Sequence, residues 1–295
     1  MPRALTDRIE IEYETFGDPG DPGMLLVSGL GAQLTSWDPD LCAMLAERGL
    51  YVIRFDNRDV GRSTKVPAPD LDVMAAVMAA MSGEPVEVPY RLADMALDAW
   101  GLLDHLGIDR AHLVGASMGG MIVQTMAIQH PDRVRSLTSI MSTTGDPDVG
   151  HPDPELLAFL LEPTPTDREG YIEASTAASR AFGSPAWFDE ERTRARHALS
   201  FDRGHHPPAA GHHLLAVLAS PSRSEGLRSL DVPALVIHGA ADRLVHPSGG
   251  ERTAECIRGS ELLVLEGMGH DLPAQLWPRI VDAIAALAAQ ADGGA

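Results

Sequence analysis

The sequence predicts an α/β fold: a mostly parallel sheet of about eight strands flanked by helices, with a helical insertion late in the sheet. Three features predict it. Short apolar runs alternate with amphipathic stretches along most of the chain, as doubly covered strands alternate with covering helices. Glycine-rich turns follow several of those runs. The rhythm then breaks from Asp146 to Leu227, a stretch of helical character with no clear strand.

In chain order, Arg8 to Phe16 alternates apolar and polar residues, which predicts a half-exposed antiparallel strand, and the Asp/Pro/Gly-rich segment Gly17 to Gly23 ends it. Met24–Ser28, Tyr51–Phe55, Ala111–Val114, Leu137–Met141, Ala234–His238 and Leu262–Leu265 are short apolar runs suited to strands buried on both faces. Between them, Asp38–Arg48, Leu92–Leu106, Met118–His130, Gly249–Ile257 and Trp277–Ala289 repeat apolar residues at helical spacing. Val66–Pro89 is a proline-bounded insert with one short Met/Ala-rich helix, whose Met74, Met78 and Met81 read as core packing rather than a flexible substrate wall. The domain reading is a core of residues 1–145 and 228–295, with residues 146–227 as a helical cap or lid. Such a lid would cover the carboxyl edge of the sheet, where open α/β folds place the ligand crevice.

Composition narrows the partners. The 295 residues are 44% hydrophobic and 22% charged, which suits a large globular core and excludes a disordered chain. A formal net charge of −19 repels phosphate backbones and anionic lipid, so nucleic acid and membrane surfaces are set aside as partners. Lys65 is the only lysine, a bias without functional weight. Two cysteines, Cys42 and Cys256, make neither a disulfide scaffold nor a zinc-finger set, and a reducing cytoplasm is the expected compartment. Charges near the start stand where a signal peptide needs an apolar core, and the uncharged stretch Ala111–Pro131 is too rich in Gly, His and Gln for a membrane span.

The chemistry-bearing signal is Gly115-Ala116-Ser117-Met118-Gly119-Gly120, directly after a strand-like run and opening a helix. A serine at the tip of such a turn takes a strained backbone, and only glycine-sized neighbours let the two arms pass closely. Its hydroxyl is a weak nucleophile that needs a histidine to take its proton and a carboxylate to orient that histidine. His270 follows the last strand-like run through a glycine-flanked loop, and Asp242 follows the run before it in the same way. Asp146 is a possible substitute acid. The amide of Met118 faces the space where an oxyanion would form, and the second donor is expected in Ser28-Gly29-Leu30-Gly31, with Leu30 N–H paired to Met118 N–H.

On these residues the chain resembles the α/β-hydrolase-fold serine hydrolases over essentially its whole length. The family's His-Gly-X, Asp-x-Arg-x-x-Gly-x-Ser and Gly-x-Ser-x-Gly motifs correspond to Ser28-Gly29-Leu30, the stretch from Asp56 through Arg58 and Gly61 to Ser63, and the turn at Ser117. Ser28 replaces the usual histidine, which removes a side chain that anchors the oxyanion loop. The Phe-Gly-Asp-Pro opening, the Arg-Phe-Asp-Asn-Arg-Asp-Val-Gly-Arg-Ser run and the Gly-Met-Gly-His ending are similar to aclacinomycin-type methylesterases of polyketide tailoring.

The resemblance implies a carboxylic ester hydrolase of the carboxylesterase or methylesterase type, with Ser117, Asp242 and His270 as catalytic residues and Leu30 and Met118 as oxyanion donors. It implies no metal and no organic cofactor. A small apolar ester is the expected partner, because the segment 146–227 carries large apolar residues such as Phe159, Tyr171, Phe182, Trp187 and Phe188, with Trp37 near the oxyanion loop. Oligomeric state is left open. The same triad also serves cofactor-free perhydrolases of the haloperoxidase type and C–C bond hydrolases, and a non-catalytic ligand-binding protein could keep the fold. His205-His206 and His212-His213 have no carboxylate or cysteine set beside them and read as a solvated or cap-packing loop rather than a metal site.

Overall fold

In a computed structural model, which describes residues 1–6, 8–68, 71–84 and 86–293, the strands are β1 (Arg3–Leu5), β2 (Glu10–Phe16), β3 (Gly23–Val27), β4 (Tyr51–Phe55), β5 (Ala111–Ala116), β6 (Val134–Ile140), β7 (Ala234–Gly239) and β8 (Glu261–Leu265). They form one sheet in the order β1-β2-β4-β3-β5-β6-β7-β8. β1 and β2 pair antiparallel, as do β2 and β4, and every pair from β4 to β8 is parallel. The short β1 lies outside any run that the sequence marks.

The helices are α1 (Pro39–Ala46), α2 (Val73–Met81), α3 (Leu92–His105), α4 (Met118–Gln129), α5 (Leu157–Leu161), α6 (Arg168–Phe182), α7 (Glu190–Gly204), α8 (Ala209–Leu218), α9 (Ser224–Arg228), α10 (Ser248–Cys256) and α11 (Trp277–Gly293). Strand period places alternate residues on opposite faces. Leu25 and Val27 of β3 join α3 and α4 in one cluster, while Met24 and Leu26 join α1 and α11 in another. Two covered faces explain why the central strands are apolar throughout.

Three expectations need correction. Leu262 and Val264 of β8 are 41% and 39% exposed, because β8 is the outermost strand and has no neighbour beyond it. Met74, Met78 and Met81 are also exposed: α2 turns Val77 inward against α8, and the methionine stripe falls on the outer face. His212 and His213 lie within helix α8 and are buried, not in a solvated loop.

Helices α5 to α9 all fall between β6 and β7, and the described residues of that stretch contain no strand. The 66–89 insert touches it, since α2 packs on α8; residues 69, 70 and 85 of the insert lie outside the described residues. Among the described residues no helix is long and apolar enough to cross a membrane.

Candidate active site

Ser117 sits between β5 and α4 with φ +57° and ψ −123°, a left-handed backbone that L-residues adopt only where the surroundings enforce it. The enforcement is steric. A Cβ at Gly115 would stand 2.1 Å from the Gly119 carbonyl oxygen, and one at Gly119 would stand 2.0 Å from the Val27 carbonyl oxygen. Strand, helix and the end of β3 therefore meet backbone to backbone. Ser117 N–H donates to the Ile140 carbonyl at 2.9 Å, and Ser142 Oγ donates to the Ser117 carbonyl at 2.8 Å, which ties the turn to β6.

The loops after β7 and β8 bring Asp242 and His270 to this serine. Ala240 N–H donates to the Leu265 carbonyl and Ala241 N–H to the Met268 carbonyl, at 3.0 and 2.9 Å, so each loop shapes the other. His270 Nε2 lies 2.9 Å from Ser117 Oγ, and His270 Nδ1 lies 2.7 Å from Asp242 Oδ2. The other Asp242 oxygen accepts the amides of Leu244 and Val245, both at 2.9 Å. Burial alone would raise the pKa of Asp242, but His270 and a second buried histidine, His238, outweigh burial and hold the carboxyl well below the usual carboxylate range. An ionised Asp242 favours the Nδ1–H tautomer of His270, which leaves Nε2 to accept from Ser117.

Asp146 is elsewhere. It accepts from Ser224 Oγ and Arg252 Nη1, both at 2.7 Å, and forms no bond to His270.

The loop after β3 crosses over the serine turn, with Gly29 near enough that a Cβ there would lie 3.2 Å from Ser117 Cβ. Among the described residues neither the Leu30 nor the Met118 amide is taken up by a protein acceptor. The neighbouring Gly31 amide is taken, by His213: Gly31 N–H donates to Nδ1 at 3.0 Å while Nε2–H donates to the Arg58 carbonyl at 2.9 Å. Both bonds together require the neutral Nε2–H ring. Burial pulls the His213 pKa down to about 4, against the opposing pull of the Arg58 carbonyl and Asp59. Ser28 itself donates to the Gln33 carbonyl at 3.3 Å, and Asn57 Nδ2 donates to the Ser28 carbonyl at 3.2 Å. So the loop after β3 is anchored by a histidine from α8.

The loop that carries His270 is anchored from the same stretch between β6 and β7. His270 N–H donates to the Phe182 carbonyl at 2.8 Å, and Gly269 N–H donates to Ser184 Oγ at 2.9 Å. Ser184 Oγ in turn donates to Asp271 Oδ1 at 2.5 Å. Nothing in the sequence marks His213, Ser184 or Asp271, because each acts through a partner distant in the chain; the adjacent pair His212-His213 in an apolar helix is the one visible hint.

Ser117 and His270 open into a cavity of about 550 Å³ whose outer wall is α6, α7 and the segment Pro185–Asp189. Trp37, Phe159, Tyr171, Phe182, Trp187 and Phe188 line it, while Phe201 lies against Tyr171 and His205. Among the described residues no group of three His, Cys, Asp or Glu is placed to hold a metal ion.

Comparison with known proteins decides the family. A family model described as the alpha/beta hydrolase fold matches residues 22–274, and the rhodomycin D methylesterase of Streptomyces peucetius is 30% identical, over 95% of each chain. The chain belongs to the α/β hydrolase fold family. Within the family, the 3-oxoadipate enol-lactonase 2 of Acinetobacter baylyi is 29% identical, over 88% of this chain and 85% of its own. A meta-cleavage product hydrolase from Pseudomonas fluorescens superposes with a TM-score of 0.76 at 21% identity, covering 99% and 98% of the two chains, a likeness of fold.

Proposed function

We propose that the protein hydrolyses carboxylic esters through an acyl-serine intermediate formed on Ser117. The observation that carries the reading is the hydrogen-bonded chain Ser117–His270–Asp242, at 2.9 and 2.7 Å, opening into a cavity with a partly aromatic wall. The full-length similarity to a methylesterase supports the ester class.

In this reading Ser117 Oγ attacks the ester carbonyl while His270 Nε2 takes its proton, and Asp242 holds the ring and stabilises the imidazolium. The free amides of Leu30 and Met118 donate to the oxyanion as it forms. Their directions are set before substrate arrives, so no reorganisation is needed at the barrier. His270 returns the proton to the departing alcohol, then takes another from the water that cleaves the acyl-serine. Residues 146–227 act as a cap over the site, excluding bulk water and presenting an aromatic wall to the substrate.

The test is steady-state hydrolysis of p-nitrophenyl esters from acetate to decanoate. Turnover by the wild type and a loss of about a thousandfold or more in Ser117→Ala is the expected result. A folded wild type inactive on the whole series overturns the ester assignment, and undiminished activity in Ser117→Ala overturns the acyl-serine step.

A further inference from the structure

Helix α7 turns Arg192, Arg196 and Ser200, spaced one helical turn apart, and the offset His197 into the cavity that contains Ser117 and His270. All but one are engaged by the protein. Arg192 pairs with Asp38 at 2.5 Å and lies over the Trp277 ring. His197 Nε2 meets Ser179 Oγ at 2.9 Å, and Ser200 Oγ lies 3.1 Å from Thr35 Oγ1. Arg196 alone has no hydrogen bond and no carboxylate within 4.0 Å among the described residues.

The two carboxylates that act on Arg196, Asp271 and Asp38, stand beyond ion-pair distance and are bonded to other groups. Asp38 is held by Arg192, and Asp271 accepts from both the amide and the hydroxyl of Ser184. Arg196 is an exposed residue on the cavity wall, and the protein atoms beside its guanidinium lower its pKa, chiefly by desolvation, against the pull of Asp271 and Asp38. An apolar substrate filling this space would strip water from the guanidinium and leave its charge without a partner. A substrate bearing an anionic oxygen would replace that water with charge-assisted, planar-fork hydrogen bonds.

We propose that Arg196 recognises an anionic acceptor, a carboxylate or another ionised acid, carried by the substrate away from the scissile bond, so that the preferred substrates are acidic esters. The proposal rests on the acyl-serine reading for its chemistry, whereas the anion subsite is a binding statement and can be tested apart from turnover.

The experiment has two parts. Hydrolysis of monomethyl and dimethyl sebacate is followed by pH-stat in wild type, Arg196→Met and Arg196→Glu, and 10-acetoxydecanoate against its methyl ester moves the acid to the alcohol side. The wild type is expected to favour one of the monoanions by about tenfold to a hundredfold in kcat/KM per ester group. Arg196→Met brings that ratio near one, and Arg196→Glu inverts it. Binding of the same compounds to Ser117→Ala, with and without Arg196→Met, is measured by calorimetry. No preference for either monoanion in rate or in binding overturns the proposal, as does a preference that survives in Arg196→Glu. Binding that depends on Arg196 without hydrolysis by the wild type overturns the ester reading and leaves the anion subsite standing.

Discussion

Ser117 is held by the sheet, whereas the loops that carry Leu30 and His270 are held in part by the helices between β6 and β7. At the serine, backbone meets backbone, with no room for a Cβ at position 115 or 119. At the other two corners the restraints are single hydrogen bonds to residues far along the chain, from Gly31 to His213 and from His270 and Gly269 to Phe182 and Ser184. Close packing resists displacement steeply, while one hydrogen bond contributes about 1 kcal/mol net. The comparison therefore predicts a rigid Ser117 and two adjustable loops, whose alignment depends on the helices between β6 and β7 being seated.

The largest effects break the rigid half. Gly119→Ala forces a Cβ to 2.0 Å from a carbonyl oxygen that belongs to β3, and the variant is expected to lose about 3 kcal/mol or more of stability in urea unfolding, or to fail to fold. Next comes the base. Asp242→Asn keeps the volume but stabilises the wrong tautomer of His270, and kcat on a p-nitrophenyl ester should fall by about three to four powers of ten with little change in KM. A fall below tenfold would mean that another group orients His270.

Smaller effects sharpen the adjustable half. Ser184→Ala removes the acceptor of the Gly269 amide and the donor to Asp271 in a buried setting, so kcat should drop by about tenfold while Gly119-type unfolding is absent. The mildest test uses pH. His213 is neutral in the fold with its pKa lowered from 6.5 to about 4, so the unfolded chain binds a proton that the native chain does not. Stability contributed by this group is complete above the unfolded value and declines as pH falls from 6.5 towards 4. Melting curves across that window should show His213→Gln losing less with acid than the wild type does. Equal slopes would show that other groups, such as the similarly lowered His197, carry the dependence.

The two halves also differ in how visible they are from sequence. Gly115-Ala116-Ser117-Met118-Gly119 carries its turn pattern within five residues, since Gly115 must pass the Gly119 backbone, although Gly119 itself answers to Val27 of β3, and the turn lies where that pattern predicts. Asp242 and His270 are visible through their position after strand-like runs, and the sheet order places those strand ends together. Asp146 follows a strand end as well and is not brought to His270, since its partners Ser224 and Arg252 draw it aside. His213 shows the limit most clearly: a histidine in an apolar helix reads as filler until its two ring nitrogens are seen between Gly31 and Arg58.

What the sequence by itself determined is the alternation of strands and helices and the glycine pattern of the serine turn, which rest on local periodicity and on the clash between positions 115 and 119, together with the family, which rests on similarity along the whole chain. Tertiary structure alone decided which carboxylate faces His270, which histidine steadies the loop after β3 and which arginine is left without a partner at the cavity wall. Those outcomes depend on which groups, such as pairs 28 and 182 positions apart, meet at hydrogen-bond distance. Hydrogen bonds act only over such short reach and direction, and no spacing along the chain records where a folded backbone brings their partners.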